Sequence, residues 1–269
     1  FIKAVSDNPQ KFVEKINPFF ELQEPFLSDF FKGLGKASEL KKRFNWSNVL
    51  QFISNLLKRR SFVEDRVASS IADIISEYIK KDVEDLENVK KLFNLLLNIL
   101  SCKTKSKKQV RDVDIIGSPL YKVFSGLINY SLKEYKRSSL WDPEVKNIIE
   151  DNLENHCPEI YYAVGTYLPQ LYLIDDVWIT ENLNRVFPMD NKENWKASFS
   201  AYLKYPSQVP SSLLKLILSN GHYKQALETK FEDEGIFGLV ARDIALCFYE
   251  NFDESAELIF CLIQKKDPK

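Results

Sequence analysis

The sequence predicts an all-α fold of helical hairpins laid side by side, and three observations predict it. Apolar residues recur at three-and-four spacing along nearly the whole chain, and no two-residue alternation extends beyond a few positions. Only 8 of the 269 residues are glycine, few for the positive-φ turns that hairpin-rich sheets need. The 11 prolines matter more by position than by number, because several stand where helical patterns begin.

Taken in order, the elements follow from start signals and apolar spacing. Asn8-Pro9 reads as an N-cap followed by proline at the first helical position. Pro25 opens a helix with Phe26, Leu27, Phe30, Phe31 and Leu34 on one side. Asn45 or Ser47 caps a helix carrying Val49, Phe52, Ile53 and Leu56, and a helix near 62–80 repeats the rule with Val63, Val67, Ile71, Ile74, Ile75 and Tyr78. The helix near 84–101 is apolar almost all round from Leu92, which places it at the centre of the stack, with Asn94 and Asn98 as a polar stripe. Residues 103–111 read as a mobile basic loop. Ser118-Pro119 and Asp142-Pro143 start the next two helices.

The second half continues in shorter units. Pro158 opens a helix through Tyr167 that Pro169 kinks or ends. Asp175 caps 176–186, expected to bury Val177, Ile179, Leu183 and Val186; Asp190 begins a helix with Trp195, Phe199 and Tyr202. Pro210 begins another, and two last helices fall near 235–250 and 254–264. Asn220-Gly221-His222-Tyr223-Lys224-Gln225-Ala226-Leu227 has the glycine, tyrosine and alanine spacing of a TPR unit. The fold expected is therefore an irregular HEAT/TPR-like α-solenoid with degenerate repeats.

Charge divides the chain. Residues 1–140 carry 25 Lys and Arg against 17 Asp and Glu, and residues 141–269 carry 12 against 21. This suggests a basic N-terminal helical-hairpin region, 1–115, and an acidic C-terminal helical-repeat region, 116–269, forming one continuous array. No run approaches the roughly 18 consecutive apolar residues of a membrane-spanning helix, so no membrane partner is expected. Phe1 is not preceded by Met, and neither end has a targeting layout, so the chain reads as a fragment of a longer cytoplasmic protein. Cys102, Cys157, Cys247 and Cys261 fall singly among helical patterns and read as reduced, buried thiols. Asn45-Trp46-Ser47 and Asn129-Tyr130-Ser131 match the glycosylation acceptor pattern, by chance in this reading.

Candidate chemistry is sparse. Gly33-Leu34-Gly35-Lys36-Ala37 has the look of a phosphate loop. It lacks the glycine six positions before the lysine, where Phe30 stands, and the hydroxyl after it, so it reads as a helix interruption or C-cap. His156 and Cys157 are adjacent and have no C-x-x-C or H-x-x-x-H partner for a tetrahedral metal site. The remaining histidine, His222, lies in no nucleophile motif. Asp175-Asp176 and Glu232-Asp233-Glu234 fit helix N-termini, and Lys41-Lys42-Arg43, Lys58-Arg59-Arg60, Lys80-Lys81 and Lys136-Arg137 fit helix C-termini, where the macrodipole favours each sign. No catalytic residue, metal or cofactor is expected. Lys103, Lys105, Lys107, Lys108 and Arg111 close no helix and could grip phosphates or an acidic protein. Tyr161, Tyr162, Tyr167 and Tyr172 cluster as interface aromatics do, and Tyr161, Tyr162 and Tyr172 join the basic residues as candidate partner contacts.

One resemblance adds to this. The run Tyr161-Tyr162-Ala163-Val164-Gly165-Thr166-Tyr167-Leu168-Pro169-Gln170-Leu171-Tyr172, then Asp176-Val177-Trp178 and Arg185-Val186-Phe187-Pro188, together with Asp142-Pro143-Glu144-Val145, resembles the C-terminal helical region of large bacterial signal-transduction ATPases. These are of the NACHT and STAND type, antiphage-defence members included. The similar stretch covers about residues 110–230, and its motifs are structural rather than catalytic. The resemblance implies a bacterial sensor array for a foreign or cellular protein, working with an ATPase and an effector upstream. The reading is a non-catalytic protein-recognition module; the alternative is nucleic-acid binding through the basic half.

Overall fold

The computed structural model describes residues 1–81, 85–101, 112–154, 157–204 and 209–266, and among these it contains helices and turns but no strand. The all-α expectation holds. Two compact units divide the chain, Phe1–Lys146 and Asn147–Lys269.

The first unit begins with two short helices, α1 (Ile2–Asp7) and α2 (Pro9–Glu14), and a 3-10 turn over Asn17–Glu21. Pro9 opens α2 as expected, although the Asn8 side chain makes no capping bond. Then come α3 (Glu24–Glu39), α4 (Trp46–Arg59), α5 (Asp65–Ile79), α6 (Leu86–Ser101), the short α7 (Asp112–Gly117), α8 (Pro119–Ser138) and α9 (Pro143–Leu153), which runs across the division. Within the unit, α1, α3, α5 and α8 pack each on the next to form one row, and α2, α4 and α6 form another. Leu27, Phe30, Leu34, Val49, Ile53, Val67, Ile71 and Ile75 are fully or almost fully buried between them.

Local chemistry fixes the starts. Asn45 Oδ1 accepts from the Asn48 amide at 3.1 Å, and Ser118 Oγ from the Tyr121 amide at 3.1 Å. Asp142 Oδ1 accepts from the amides of Glu144 and Val145 at 2.9 and 3.2 Å.

Two expectations for this unit are corrected. The Gly33–Gly35 segment neither interrupts nor ends its helix; α3 continues to Glu39 and turns away through Lys41 at φ 56°. Gly33 serves contact instead, since a Cβ there would come within 2.6 Å of Val5 Cβ on α1. Helix α6 is not enclosed all round: Leu92, Phe93, Leu96 and Leu100 are buried, whereas Asn98 is exposed.

The second unit holds α10 (Pro158–Ile174), α11 (Asp176–Val186), α12 (Lys192–Leu203), α13 (Ser211–Ser219), α14 (His222–Glu228), α15 (Gly235–Tyr249) and α16 (Ser255–Lys266). Helix α10 packs on α11 and α12, α12 on α15, α13 on α14 and α15, and α16 on α14 and α15. Pro169 does not end α10, which continues to Ile174. Proline removes one hydrogen bond to the carbonyl four residues back, that of Gly165, and burial of Pro169 with Leu168 and Leu171 offsets the loss. A Cβ on Gly165 would lie 2.1 Å from the Ser198 carbonyl oxygen of α12, so glycine sets how closely these helices approach.

Asp175 caps α11 by accepting from the Trp178 amide at 2.8 Å. Its buried face is Trp178, Ile179, Leu183 and Val186; Val177 is 62% exposed, contrary to expectation, because the larger indole one residue on takes the inward position. Asn191, not Asp190, caps α12, accepting from the Asn194 amide at 3.2 Å. Gly221, at φ 77°, makes a left-handed turn between α13 and α14.

Candidate functional site

Among the described residues, those singled out in the sequence do not gather at one site. Lys103, Lys105, Lys107, Lys108 and Arg111, with Cys102 and His156, lie outside the described residues. Tyr161 and Tyr162 are only 2% and 4% exposed, so their rings pack inside the second unit and offer no contact surface. The Tyr161 hydroxyl donates to the Leu153 carbonyl, which explains how a phenol is accommodated there. Tyr172 is half-buried. Lys58 and Arg59 close α4, and Lys136 and Arg137 close α8, as the macrodipole favours.

Three other places concentrate polar or apolar groups. In the first unit, Lys90 of α6, 8% exposed, reaches Asp142 at 3.1 Å, Glu144 at 2.8 Å and Glu87 at 3.2 Å. Tyr130 of α8 donates to the same Asp142 oxygen that Lys90 reaches, Oδ2, at 2.8 Å. Beside them is an open cleft of about 350 Å³ lined by Leu86, Glu87, Tyr130, Glu134, Arg137 and Asp142. Burial alone would lower the Lys90 pKa, but its bonds to Glu144, Asp142 and Glu87 outweigh this and raise it. Burial and the Asp142 bond raise Tyr130. Burial works against Asp142 ionising, yet the Tyr130 and Lys90 bonds win and lower its pKa. Each group is thereby held in one protonation state at neutral pH. The three groups join α6, α8 and the start of α9.

In the second unit a polar network is sealed inside. The hydroxyls of Tyr202 and Tyr223 are 3.0 Å apart and reach Asp243 Oδ2 at 3.2 and 3.3 Å. Arg242 Nε donates to Asp243 Oδ1 at 2.8 Å, and the same guanidinium donates to the Leu203 carbonyl at 3.2 Å. Asp243 is 1% exposed, and burial raises its pKa against the pull of Arg242 and the two phenols. Burial also raises both tyrosines and pushes the neighbouring Cys247 thiol up to about 12. Next to this network His222 is fully buried against the rings of Phe187 and Phe199. Its Nδ1 accepts from Trp195 Nε1 at 3.4 Å, which leaves the proton on Nε2, an atom with no hydrogen-bond partner among the described residues. Burial depresses its pKa to about 4. The sequence carried one signal for this network: an adjacent Arg and Asp in an otherwise apolar stretch, 235–249.

The third place is the outer side of α15 and α16. Leu246, Phe248 and Tyr249 are 41%, 50% and 80% exposed, and Phe260 and Ile263 are 67% and 63% exposed. Apart from the mutually paired Arg242 and Asp243, every residue of α15 is apolar or glycine. A helix apolar on most sides is ordinarily enclosed, yet Gly238, Ala245 and Tyr249 of this one face outward, with the Arg242 side chain, 41% exposed, among them.

Among the described residues, no group of three or more His, Cys, Asp and Glu side chains is arranged to hold a metal ion. Among the same residues, no helix is long and apolar enough to cross a membrane. No protein-family model, no curated protein and no solved structure matches the chain.

Proposed function

We propose that this chain is a non-catalytic protein-recognition module, an irregular HEAT/TPR-like array that senses or scaffolds a partner protein in the cytoplasm. The observation that carries the reading is α15, a helix with nearly the composition of an enclosed element whose outward side exposes Leu246, Phe248 and Tyr249 around Arg242. The two-row packing of α1 to α8 supports the array, because stacked hairpins leave extended surfaces as their working parts. The polar clusters also support it. Lys90 with Asp142, and Tyr202 and Tyr223 with Asp243, are committed to joining helices. The resemblance of 110–230 to the sensing arrays of NACHT and STAND ATPases gives the finer version: a bacterial sensor in antiphage defence, reporting to an upstream ATPase.

The test is affinity capture from host cytosol with the chain and with a Leu246→Asp, Tyr249→Asp double variant. The reading expects a protein captured in stoichiometric amount, retained after nuclease treatment and lost from the variant. A second reading, nucleic-acid binding, is favoured by the 25 Lys and Arg of residues 1–140. It expects labelled DNA or RNA to bind at low salt with an affinity that falls steeply as salt rises. Nuclease-sensitive capture together with that salt dependence would replace the first reading by the second.

A further inference from the structure

Asn220 is the one asparagine in the chain that glycine follows. The pair closes α13 and opens α14, and both residues are half-buried. Glycine has no side chain to keep the preceding carboxamide away from its backbone nitrogen. At every other asparagine the next residue carries a side chain, or is proline and has no N–H to lose.

In such a pair the glycine nitrogen, once its proton has gone to solvent, attacks the asparagine side chain. A bond forms between Gly221 N and Asn220 Cγ, the Cγ–Nδ2 bond breaks, and Nδ2 leaves as ammonia. Water then opens the cyclic imide at either carbonyl, giving an aspartyl or an isoaspartyl residue. No oxidant, reductant or enzyme is required; the net change is amide plus water to carboxylate plus ammonium.

The fold holds both reacting groups elsewhere. Asn220 Nδ2 donates to the Leu216 carbonyl at 2.9 Å, which turns the carboxamide back along α13, away from the next peptide unit. Gly221 N–H donates to the Leu218 carbonyl at 2.8 Å, within a turn fixed by the φ of 77° at Gly221. Attack therefore needs both hydrogen bonds broken, and with them the turn that joins α13 to α14. The products cannot restore it. Either one lacks the donor to Leu216, and the isoaspartyl form adds a carbon to the main chain between Asn220 Cα and Gly221 N. His222 and Tyr223, both without exposure, follow directly, so the added atom displaces them from Trp195 Nε1 and Asp243.

We propose that Asn220 is a latent deamidation site, protected while the α13–α14 turn is closed and converted irreversibly once the turn opens. The product disfavours reclosure, so the turn keeps a covalent record of its own opening.

The test is peptide mapping by mass spectrometry of the whole chain held in mildly alkaline buffer, with and without urea. The tryptic peptide 216–224 contains Asn220 and no other amide side chain, so conversion to an acid there has one source. Folded chain is expected to deamidate at Asn220 at least about tenfold more slowly than chain in urea. Leu227→Ala, which trims a buried side chain of α14, is expected to speed the folded-state reaction about threefold or more. Leu56→Ala, the same cut in α4 of the first unit, should leave it unchanged. Chain deamidated in urea and returned to buffer is expected to exchange its α14 amides faster than a control that stays unmodified through the same cycle. Equal rates with and without urea would overturn the proposal, as would unchanged exchange in α14 after modification. So would absent acceleration by Leu227→Ala, or equal acceleration by Leu56→Ala, which would make global unfolding the gate. If circular dichroism shows Leu227→Ala unfolded, the parent chain with and without urea decides by itself.

Discussion

The two units solve the same problem, joining helices through polar groups, in different dielectric surroundings. In the first unit the Lys90–Asp142 pair, each side chain 10% exposed, is joined to carboxylates at the rim. Lys90 is held by three carboxylates of which Glu87 and Glu144 are exposed; Lys122 reaches Asp73 at 2.6 Å and Arg66 reaches Asp29 at 2.9 Å, each pair with at least one exposed partner. In the second unit Tyr202, Tyr223 and Asp243 are almost without exposure, and only the Arg242 side chain reaches the surface. Water can replace a lost partner at the rim but not in the interior. The lesson is that similar hydrogen-bond geometry carries unequal weight, and equivalent substitutions in the two units should separate them.

The largest separation is expected from removing the central carboxylates. Asp243→Ala leaves Arg242 and two buried phenols without their acceptor and should cost about 3–5 kcal/mol in urea unfolding, as breaking a buried charged network does. Asp142→Ala leaves Lys90 with Glu144 and Glu87 but removes the cap of α9, so about 1–2 kcal/mol is expected. Equal losses at the two positions would mean that burial does not govern the difference.

Next is a pH dependence confined to the second unit. His222 in the folded chain titrates at about 4, below its ordinary 6.5, because burial disfavours the imidazolium. Unfolded chain therefore binds the proton first. The contribution to stability is complete above pH 6.5, falls as pH drops toward 4 and is constant below; the whole fall is on the order of 3 kcal/mol. Urea midpoints measured from pH 7.5 to 4 for the chain and for His222→Phe should diverge in slope over this window. Parallel slopes would show that His222 is not held neutral.

A smaller effect distinguishes the two close helix contacts. Gly165→Ala drives a Cβ to within 2.1 Å of the Ser198 backbone carbonyl, which can move only with α12, and should cost about 2–3 kcal/mol. Gly126→Ala in α8 meets Cζ of the buried Phe93 ring at 2.2 Å; Cζ lies on the axis about which the ring turns, so relief takes a shift of the whole Phe93 side chain, a smaller movement than that of a helix backbone. The helix-propensity gain of alanine offsets part of that, leaving about 1–2 kcal/mol. Amide hydrogen exchange in α12 and in α6 would report each locally; matching losses would contradict the distinction between backbone and side-chain obstacles.

These contrasts also explain what the sequence disclosed. Helix starts were legible at Asn45, Ser118, Asp142, Pro158 and Asp175, because caps and N-terminal prolines act through residues within one turn. Helix interiors were legible from apolar spacing, as in α4 and α5. What failed depended on a neighbour in space. Gly33 and Gly35 looked like an interruption, but Gly33 answers to Val5; Pro169 looked like a stop, but α10 continues where it packs on α12. Val177 and Trp178 compete for one inward position, and spacing alone chose the wrong one. Tyr161 and Tyr162 were ambiguous in kind, since a phenol can face solvent or, with a buried carbonyl acceptor, the core. The α15 face was hidden for the same reason. A stretch of apolar residues reads as core until the surroundings show that one side has no neighbour.

The smallest expected difference tests the comparison by its absence. Ser118 caps α8 in the first unit and Asp175 caps α11 in the second, accepting at 3.1 and 2.8 Å from amides three residues on. Both side chains are partly exposed, so neither depends on the interior of its unit. Ser118→Ala and Asp175→Ala should each cost about 1 kcal/mol, the aspartate slightly more because its charge also meets the helix dipole. Salt should shrink the excess at Asp175 and leave Ser118 unchanged. If Asp175→Ala instead cost as much as Asp243→Ala, position in the second unit rather than burial of the group would govern the losses, and the contrast between rim and interior would have to be abandoned.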